Sequence, residues 1–329
     1  MPPVAPPARA SLPGLEFIDP ELESRIRRGL TAVEQLLRAS VNSSYPFVTE
    51  TSRHLVDAGG KRFRPLVVLL AAGFGDPDAP TVVPAAVAIE LTHLSTLYHD
   101  DVMDEAVLRR GAVSANSRWT NSIAILTGDF LFARASEITA DLGTEATRIL
   151  AQTIAVLCEG QIRETVGPGT EDPIAHYRQV VAEKTGSLIA TSGRLGALLS
   201  GASPAAVTAL TAFGAKIGGA FQLSDDLLDI TSPSGESGKT PGTDLREGIR
   251  TLPVLFAEED GLKLPDEFTD EAELTKALDQ LRGSEAIKRA RAELVAEAAD
   301  ARAQLADLPD VPSKGALEAL CDYVVTRTG

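Results

Sequence analysis

Apolar residues recur at three- and four-residue spacing along most of the chain, whereas the alternation typical of a strand is scarce. In residues 21–40, for example, Ile26, Leu30, Val33 and Leu37 fall on one face of a helix. Further helices are predicted over residues 65–73, 81–104, 121–141, 144–165, 174–200, 203–230, 269–281, 284–305 and 314–325. The chain is therefore predicted to be all-α, a bundle of long helices.

The organisation along the chain is simple. Residues 1–20 contain six of the twenty prolines, which predicts a flexible tail. Residues 21–329 show no internal repeat and no long linker, and we expect them to form a single all-α domain.

Composition narrows the classes of partner and compartment. With 46 acidic and 31 basic residues, the formal net charge is -15, which argues against a nucleic-acid partner. Cys158 and Cys321 are too far apart for a disulfide framework or a metal-binding spacing. The uncharged stretch 195–215 is interrupted at 200–204, so it predicts two short core helices rather than a membrane span. A cytoplasmic location is predicted, and a peripheral membrane contact stays open.

Two aspartate clusters share one spacing. His99-Asp100-Asp101-Val102-Met103-Asp104 places Asp100 and Asp104 four residues apart, on one helix face. The sequence from Asp225 to Asp229 repeats the same D-D-x-x-D pattern. One such pattern is typical of a solvated helix surface, but two copies that each follow apolar helical sequence favour function. Carboxylates this close repel one another unless a cation neutralises them, and oxygen ligands without nearby histidine or cysteine suit Mg²⁺.

Cations are concentrated near these clusters. Residues 59–65 read Gly-Gly-Lys-Arg-Phe-Arg-Pro, with three positive charges in four positions after a flexible glycine pair. Arg109 and Arg110 follow the first aspartate cluster, and Lys184 and Lys239 add single cations. Salt bridges to abundant acidic residues are the alternative explanation, and it is weaker for the 59–65 segment. Diphosphates bridged to aspartate by Mg²⁺ and bound by lysine and arginine would explain the whole set.

These motifs together resemble the trans-isoprenyl diphosphate synthases, or polyprenyl synthetases. The matching blocks are G-G-K-R-F-R-P at 59–65, H-D-D-V-M-D at 99–104, R-R-G at 109–111, G-D-F-L at 128–131, K-T-G at 184–186, F-Q-L-S-D-D-L-L-D at 221–229 and G-K-T-P-G-T-D-L at 238–245. They occur in the family's order and cover roughly residues 20–327. The resemblance implies an isoprenoid-synthase bundle around a central active-site cavity.

The resemblance also implies roles for individual residues. The implied metal ligands are Asp100, Asp104, Asp225 and Asp229, supported by Asp101 and Asp226. The implied isopentenyl diphosphate ligands are Lys61, Arg64, His93 and Arg110. The implied allylic diphosphate ligands are Arg109, Lys184, Thr185, Gln222 and Lys239. His93 is otherwise most simply a core histidine on an apolar helix. Phe221 could present its ring to a developing carbocation.

The implied reaction is Mg²⁺-dependent prenyl transfer, with three ions per active site and a homodimeric enzyme. Pyrophosphate leaves the allylic substrate, the double bond of isopentenyl diphosphate attacks the resulting cation, and a proton is lost. In this family, bulky aromatic residues upstream of the first aspartate cluster close the product channel. The positions assigned to that channel here are Ser95, Thr96, Leu91, Thr92 and Ala88. Since small residues at Ser95 and Thr96 leave space, a long product of about six to ten isoprene units is expected, as in quinone side chains such as that of menaquinone.

Some positions depart from the family pattern, and other functions stay open. Ile249 stands where the family often has lysine, so Arg250 either replaces that contact or the contact is absent.

A short-chain farnesyl or geranylgeranyl diphosphate synthase is the main alternative function. A terpene cyclase would lack the second aspartate cluster, and a subunit of a two-component synthase would be expected to lose the metal ligands.

Overall fold

The computed structural model describes residues 19–232, 241–265, 268 and 270–328. Within these ranges the elements are α1 (Pro20–Ser40), α2 (Pro46–Asp57), α3 (Phe63–Ala72), α4 (Val82–Met103), β1 (Leu108–Arg109), β2 (Ala112–Val113), α5 (Ala115–Arg118), α6 (Asn121–Leu142), α7 (Thr144–Val166), α8 (Pro173–Val181), a π-helical segment (Ala182–Gly186), α9 (Ser187–Leu199), α10 (Pro204–Thr231), α11 (Thr243–Arg246), α12 (Leu252–Glu259), α13 (Glu271–Arg282), α14 (Glu285–Ala303) and α15 (Pro312–Thr326). The all-α prediction is confirmed.

Local sequence explains several helix boundaries. The Asp19 side chain accepts hydrogen bonds from the backbone N–H groups of Glu21 and Leu22 and so caps α1. Thr120 caps α6 in the same way. The Ser203 side chain accepts a hydrogen bond from the backbone N–H of Ala206 at the start of α10, which has proline at its first position.

Contacts between Cα atoms divide the chain into two units. The first unit comprises residues 1–152, 191–208 and 309–316, and the second comprises 153–190, 209–308 and 317–329. The single-domain organisation of residues 21–329 therefore stays a prediction. The proline-rich tail lies almost entirely outside the described residues.

In the first unit, α4 is the central helix and packs against α1, α3 and α6. The side chains that face the core include the predicted Ile26, Leu30, Val33 and Leu37 of α1, each at most 4 % exposed. Gly128 lets α6 approach α4 closely, because a Cβ atom there would lie 2.4 Å from Nε2 of His99. This close crossing holds the last turns of α4, where the first aspartate cluster begins.

In the second unit, α12 packs against α8, α13 and α14. The sequence analysis did not predict α12, although it is almost entirely buried, since it is a short apolar segment with no room for a clear period. The expected helix over 174–200 is interrupted by a π-helical segment at Ala182–Gly186. Single π-helical turns often occur at functional positions, and this one contains Lys184, Thr185 and Gly186.

None of the helices in the described part of the chain has the length and apolar character that a membrane crossing requires.

Candidate diphosphate and metal site

The first aspartate cluster lies at the C-terminal end of α4. Asp100 and Asp101 are in the last turn, and Asp104 follows the helix as its C-cap residue. Carboxylates at this end oppose the helix dipole and need a positive partner. That partner is Arg109, whose Nε lies 2.5 Å from Oδ1 of Asp101 and whose Nη2 lies 3.9 Å from Oδ2 of Asp104. The structure thus brings a predicted diphosphate ligand onto the predicted metal-binding cluster.

Burial separates the roles of these aspartates. The Asp101 side chain is fully buried, and its Oδ2 atom has no hydrogen-bond partner among the described residues. Burial raises the pKa of Asp101, and Arg109 partly offsets that rise. Asp104 is exposed. A buried aspartate beside an exposed one agrees with a supporting role for Asp101 and a ligand role for Asp104.

A two-stranded hairpin presents the two arginines that follow the cluster. Strands β1 and β2 pair antiparallel, with Arg109 opposite Ala112. Arg110 occupies the turn with a φ of 54°, in the left-handed region. Its guanidinium donates to the carbonyls of Gly59 and Leu55. The tight turn therefore sends Arg109 towards the aspartates and Arg110 towards the Gly59-Gly60 segment.

The three cations of the 61–64 segment have different surroundings. Lys61 is exposed, Arg62 is buried and Arg64 is half-buried. His93 lies among cations of this group, and its pKa falls well below the usual value because of burial first and then the charges of Arg64 and Arg110. His93 is therefore neutral at neutral pH and is able to donate one hydrogen bond. The structure brings together three of the four residues predicted to bind isopentenyl diphosphate.

The second aspartate cluster lies in the last two turns of α10. Asp226 is buried and accepts hydrogen bonds from the Tyr177 hydroxyl and from Nε2 of Gln222, the latter at 2.9 Å. Burial raises the pKa of Asp226 to about 7, although both hydrogen bonds oppose the rise. Asp229 accepts from the backbone N–H groups of Thr243 and Asp244 at 3.1 and 3.2 Å. Neutral donors thus hold two of the three carboxylates.

The predicted allylic ligands of the second unit are close to this cluster. The Thr185 hydroxyl donates to Oε1 of Gln222 at 3.0 Å, so the chain from Thr185 through Gln222 reaches Asp226. Lys184, in the π-helical segment, forms an ion pair with Glu164 of α7. Lys239 lies outside the described residues. Arg250 donates to the carbonyl of Pro265 at 2.6 Å and has Glu258 at 3.5 Å.

Two residues that the sequence analysis did not identify contact the second cluster. Arg327 places Nη1 2.9 Å from Oδ1 of Asp225 and lies over the Phe221 ring at 4.1 Å. One face of that ring is therefore covered by a guanidinium rather than open to a carbocation. Tyr177 lies seven residues, about two helical turns, before Lys184. Its partner Asp226 is 49 residues away in the sequence, and Arg327 lies about a hundred residues from Asp225, so local spacing predicts neither contact.

The positions assigned to the product channel lie along α4. Leu91, Ala88 and Thr92 are buried, and the Ser95 hydroxyl donates to the carbonyl of Gly128 at 2.8 Å. Thr96 is half-buried, and its hydroxyl bonds to the carbonyl of His93. Ser95 thus packs against α6. The channel assignment stays a prediction.

The donor chemistry fits a hard divalent cation. Within the described ranges, no three side chains of His, Cys, Asp or Glu form a group that could hold a metal ion without other ligands. Mg²⁺ usually takes only one or two carboxylates and completes its shell with water and substrate phosphates. The exposed Asp104 carboxylate, beside the buried Asp101 whose Oδ2 atom has no hydrogen-bond partner among the described residues, matches that mode of binding.

Comparison with known proteins agrees with this geometry. The family model described as polyprenyl synthetase matches residues 45–293. The chain is 49 % identical over 326 residues to a nonaprenyl diphosphate synthase of Mycobacterium tuberculosis, covering 96 % of this chain and 97 % of that protein.

Solved structures give the same result. A geranylgeranyl pyrophosphate synthase of Corynebacterium glutamicum, complexed with calcium and isoprenyl diphosphate, is similar with a TM-score of 0.86 and 45 % identity, covering 95 % of this chain and 99 % of that one. A decaprenyl diphosphate synthase of Rhodobacter capsulatus has a TM-score of 0.86 and 33 % identity, covering 94 % and 99 %.

The fold and the motifs thus define an all-α isoprenoid synthase with two carboxylate clusters and neighbouring cations. The chain belongs to the polyprenyl synthetase family. The predictions of an isoprenoid-synthase fold and of a prenyltransferase are confirmed.

Proposed function

We propose that this enzyme condenses isopentenyl diphosphate head-to-tail onto an allylic diphosphate and releases a long all-trans polyprenyl diphosphate. The observation that carries the proposal is the contact of Arg109 with two carboxylates of the first aspartate cluster, Asp101 and Asp104. Arginine is a common diphosphate ligand. Such a pair is expected where Mg²⁺ and a diphosphate bind together. Family membership supplies the reaction class.

In the proposed mechanism, Arg109, Lys184, Thr185, Gln222 and Lys239 hold the allylic diphosphate. Asp100, Asp104, Asp225 and Asp229 would hold Mg²⁺, which when bound supplies the positive charge that stabilises a departing pyrophosphate. Asp101 and Asp226 support these ligands from buried positions. We propose three ions per active site.

In the same mechanism Lys61, Arg64, Arg110 and His93 hold isopentenyl diphosphate. Because His93 is neutral, it donates a hydrogen bond without adding positive charge near a developing carbocation. The allylic C–O bond breaks, the double bond of isopentenyl diphosphate forms the new C–C bond, and the proton passes to the released pyrophosphate. The protein binds and orients both substrates and needs no nucleophilic side chain for these steps.

A long product is favoured by the small side chains at Ser95 and Thr96 and by the nonaprenyl and decaprenyl names of two relatives. The geranylgeranyl name of the Corynebacterium structure makes a short-chain synthase the second candidate. A quinone side chain, such as that of menaquinone, is the proposed destination of a long product, with release at a membrane surface by a cytoplasmic enzyme.

A homodimer is also part of the proposal. Ile125 and Leu126 of α6 are 43 % and 62 % exposed, which is unusual for large apolar residues and is consistent with burial against a second copy. Sedimentation analysis of the full chain tests this assignment. A single boundary with the mass of a monomer at micromolar concentration would contradict it.

The test of the proposed function is a product assay with Mg²⁺, isopentenyl diphosphate and farnesyl diphosphate, in which products are separated by length. Products longer than geranylgeranyl diphosphate are expected. Products that stop at that length would support the second candidate. No elongation from either farnesyl or geranylgeranyl diphosphate would contradict the function.

Two variants of Thr96 test the assignment of this position to the product channel. Thr96→Phe is expected to shorten the product, because a bulky ring would fill space beside α4. Thr96→Ser, which leaves that position small, is the control and should keep the wild-type length. Unchanged product length in Thr96→Phe would contradict the channel assignment.

A further inference from the structure

The middle cation of the 61–64 segment is held by two carboxylates from two helices. Nε of Arg62 lies 2.5 Å from Oε1 of Glu34 in α1, and Nη1 lies 2.7 Å from Oε1 of Glu90 in α4. Nη2 donates to the carbonyl of Val56, at the end of α2, at 3.1 Å. Because Arg62 itself precedes α3, one guanidinium joins four helices.

The backbone conformation of Arg62 explains why its side chain turns inward while those of Lys61 and Arg64 do not. Arg62 has a φ of 49° and a ψ of 38°, a left-handed conformation that is unfavourable for a residue with a Cβ atom. The strained turn sends Arg62 inward to its carboxylates, while Lys61 stays exposed and Arg64 stays half-buried. Strain of this kind persists only where the surrounding contacts determine it.

Glu90 also connects this segment to the hairpin. Its Oε1 lies 3.9 Å from Nη2 of Arg110, while Nη1 of Arg110 donates to the carbonyl of Gly59. The guanidinium of Arg110 rests on Gly60, where a Cβ atom would lie 2.9 Å from Nη1. Glu90 is 2 % exposed and lies one helical turn before His93 on α4. One carboxylate therefore reaches both groups of cations in this region.

The positive charge of Arg62 is balanced by two carboxylates inside the protein. Burial alone would lower its pKa, but Glu90 and Glu34 outweigh that effect and raise it. An arginine that is 2 % exposed and bonded to two carboxylates and a carbonyl has few N–H groups left for a phosphate. Arg110, by contrast, faces mostly carbonyl oxygens, and burial lowers its pKa, with further lowering by Arg62 and Arg109.

We propose that Arg62, Glu90 and Glu34 form a positioning network for isopentenyl diphosphate, and this inference rests on the proposed function. The network fixes the 59–64 segment and the Arg110 guanidinium in one geometry, while Lys61, Arg64, Arg110 and His93 contact the diphosphate. Arg62 is thus a positioning residue although it stands between two diphosphate ligands in the sequence. Lysine could not replace it, because an ammonium lacks the planar fork that joins two carboxylates.

The test compares Glu90→Gln, Arg62→Lys and Glu34→Gln with wild type in steady-state kinetics and thermal unfolding. Glu90→Gln and Arg62→Lys should raise KM for isopentenyl diphosphate about 10- to 100-fold, since small misplacements of binding groups have effects of that size. KM for farnesyl diphosphate should change by less than about twofold, because that substrate does not use the positioned groups. Glu34 is more exposed than Glu90, so Glu34→Gln should have the smallest effect.

Arg38→Gln is the matched control. Arg38 also joins α1 to the end of α2, through Asp57 at 3.1 Å, but both side chains are about half exposed, so its kinetics should match wild type. Equal changes in both KM values, or no change in either, would overturn the inference. If Glu90→Gln does not fold, Arg62→Lys and Glu34→Gln give the same comparison.

A binding readout separates this inference from the proposed function. Isopentenyl diphosphate alone should raise the unfolding temperature of wild type and of Arg38→Gln, and should raise it less in the network variants. An inactive wild type that still shows this pattern would contradict the proposed function and support the positioning network. An active wild type with equal thermal shifts in all variants would support the function and overturn the network.

Discussion

The two aspartate clusters have the same spacing and both lie at the C-terminal end of a helix, but their partners differ. At the end of α4, an arginine holds Asp101 at 2.5 Å. At the end of α10, a tyrosine hydroxyl and a glutamine amide hold Asp226, and burial raises its pKa to about 7. The buried aspartate of the first cluster is thus balanced by an arginine and that of the second by neutral hydrogen-bond donors, whereas the arginine of the second cluster, Arg327, pairs with Asp225.

This difference has a chemical consequence. In the proposed mechanism, the Arg109 guanidinium shares its hydrogen bonds between Asp101 and the diphosphate, and this would link substrate binding to the state of Asp101. At the second cluster, neutral donors orient Asp226 and Asp229 while Arg327 compensates the charge of Asp225, so the tyrosine that holds the buried aspartate can be changed without removing a positive charge. We expect equal losses when a ligand of either cluster is removed, and different losses when the partner of each buried aspartate is changed.

The largest effect is expected from removing one ligand charge in each cluster. Asp104→Asn and Asp225→Asn should each lower kcat by about 10³-fold or more, because charge stabilisation of the leaving group is lost. Asp141→Asn, at an exposed position near the end of α6, is the control and should match wild type. Turnover within about tenfold of wild type in either variant would contradict the assignment of that cluster.

The sequence alone predicted most of the fold and the position of both aspartate clusters. The helical period predicted most of the helices, and the repeated D-D-x-x-D motif identified both clusters. It could not predict the partners, because Tyr177 and Arg327 reach the second cluster only through tertiary packing. It also could not predict the π-helical turn at 182–186, since a single extra residue leaves no clear mark on the hydrophobic period.

The positive charges of the 61–64 segment were likewise visible in the sequence, but their partners were not. Three positive charges in four residues indicate an anion site, but the pattern does not reveal which one turns inward. That depends on the left-handed backbone at Arg62 and on Glu34 and Glu90, which are 28 residues away on either side in the sequence. Charge density is therefore readable from sequence, whereas the pairing of charges is not.

A second, smaller effect separates the partners of the two buried aspartates. Arg109→Gln should raise KM for the allylic substrate and lower kcat about 100-fold, because the arginine serves both Asp101 and the diphosphate. Tyr177→Phe should lower kcat only about tenfold and leave that KM nearly unchanged, since Gln222 still bonds Asp226 at 2.9 Å. Steady-state kinetics with farnesyl diphosphate measures both. The same KM effect in both variants would remove the proposed difference between the clusters.

A third effect concerns Arg327, which forms an ion pair with Asp225. Arg327 also donates to the Ser224 hydroxyl at 2.7 Å and to the Phe221 carbonyl at 2.8 Å, and its side chain is 8 % exposed. Arg327→Gln should lower the unfolding temperature without Mg²⁺ by about 2–4 °C. Because the competing charge is gone, Mg²⁺ should then stabilise the variant more than it stabilises wild type.

Arg289→Gln is the control for that experiment. Arg289 also lies over an aromatic ring, that of Phe256 at 3.7 Å, but its ion pair with Glu259 is about half exposed. Its response to Mg²⁺ should equal that of wild type. An equal response in Arg327→Gln would show that Arg327 does not compete with the cation at Asp225.

The smallest effect is a pH dependence of stability that belongs to the second unit. Burial raises the pKa of Glu297 in α14 to about 7, and repulsion from Glu293 adds to the rise. Its Oε2 atom lies 3.0 Å from the place of a Gly219 Cβ and has no hydrogen-bond partner among the described residues. The folded state therefore keeps a proton that the unfolded chain loses near its ordinary pKa of 4.5, so Glu297 lowers stability as pH rises from about 4.5 to 7.

Glu297→Gln should remove this dependence. Between pH 5 and pH 8, the free energy of unfolding of wild type should fall by about 1–3 kcal/mol more than that of the variant, as measured by urea denaturation. Glu285→Gln, at a glutamate on the same helix whose side chain is 78 % exposed, should behave as wild type. Parallel pH profiles for wild type and Glu297→Gln would contradict this prediction and would mean that the carboxyl group stays hydrated in the folded protein.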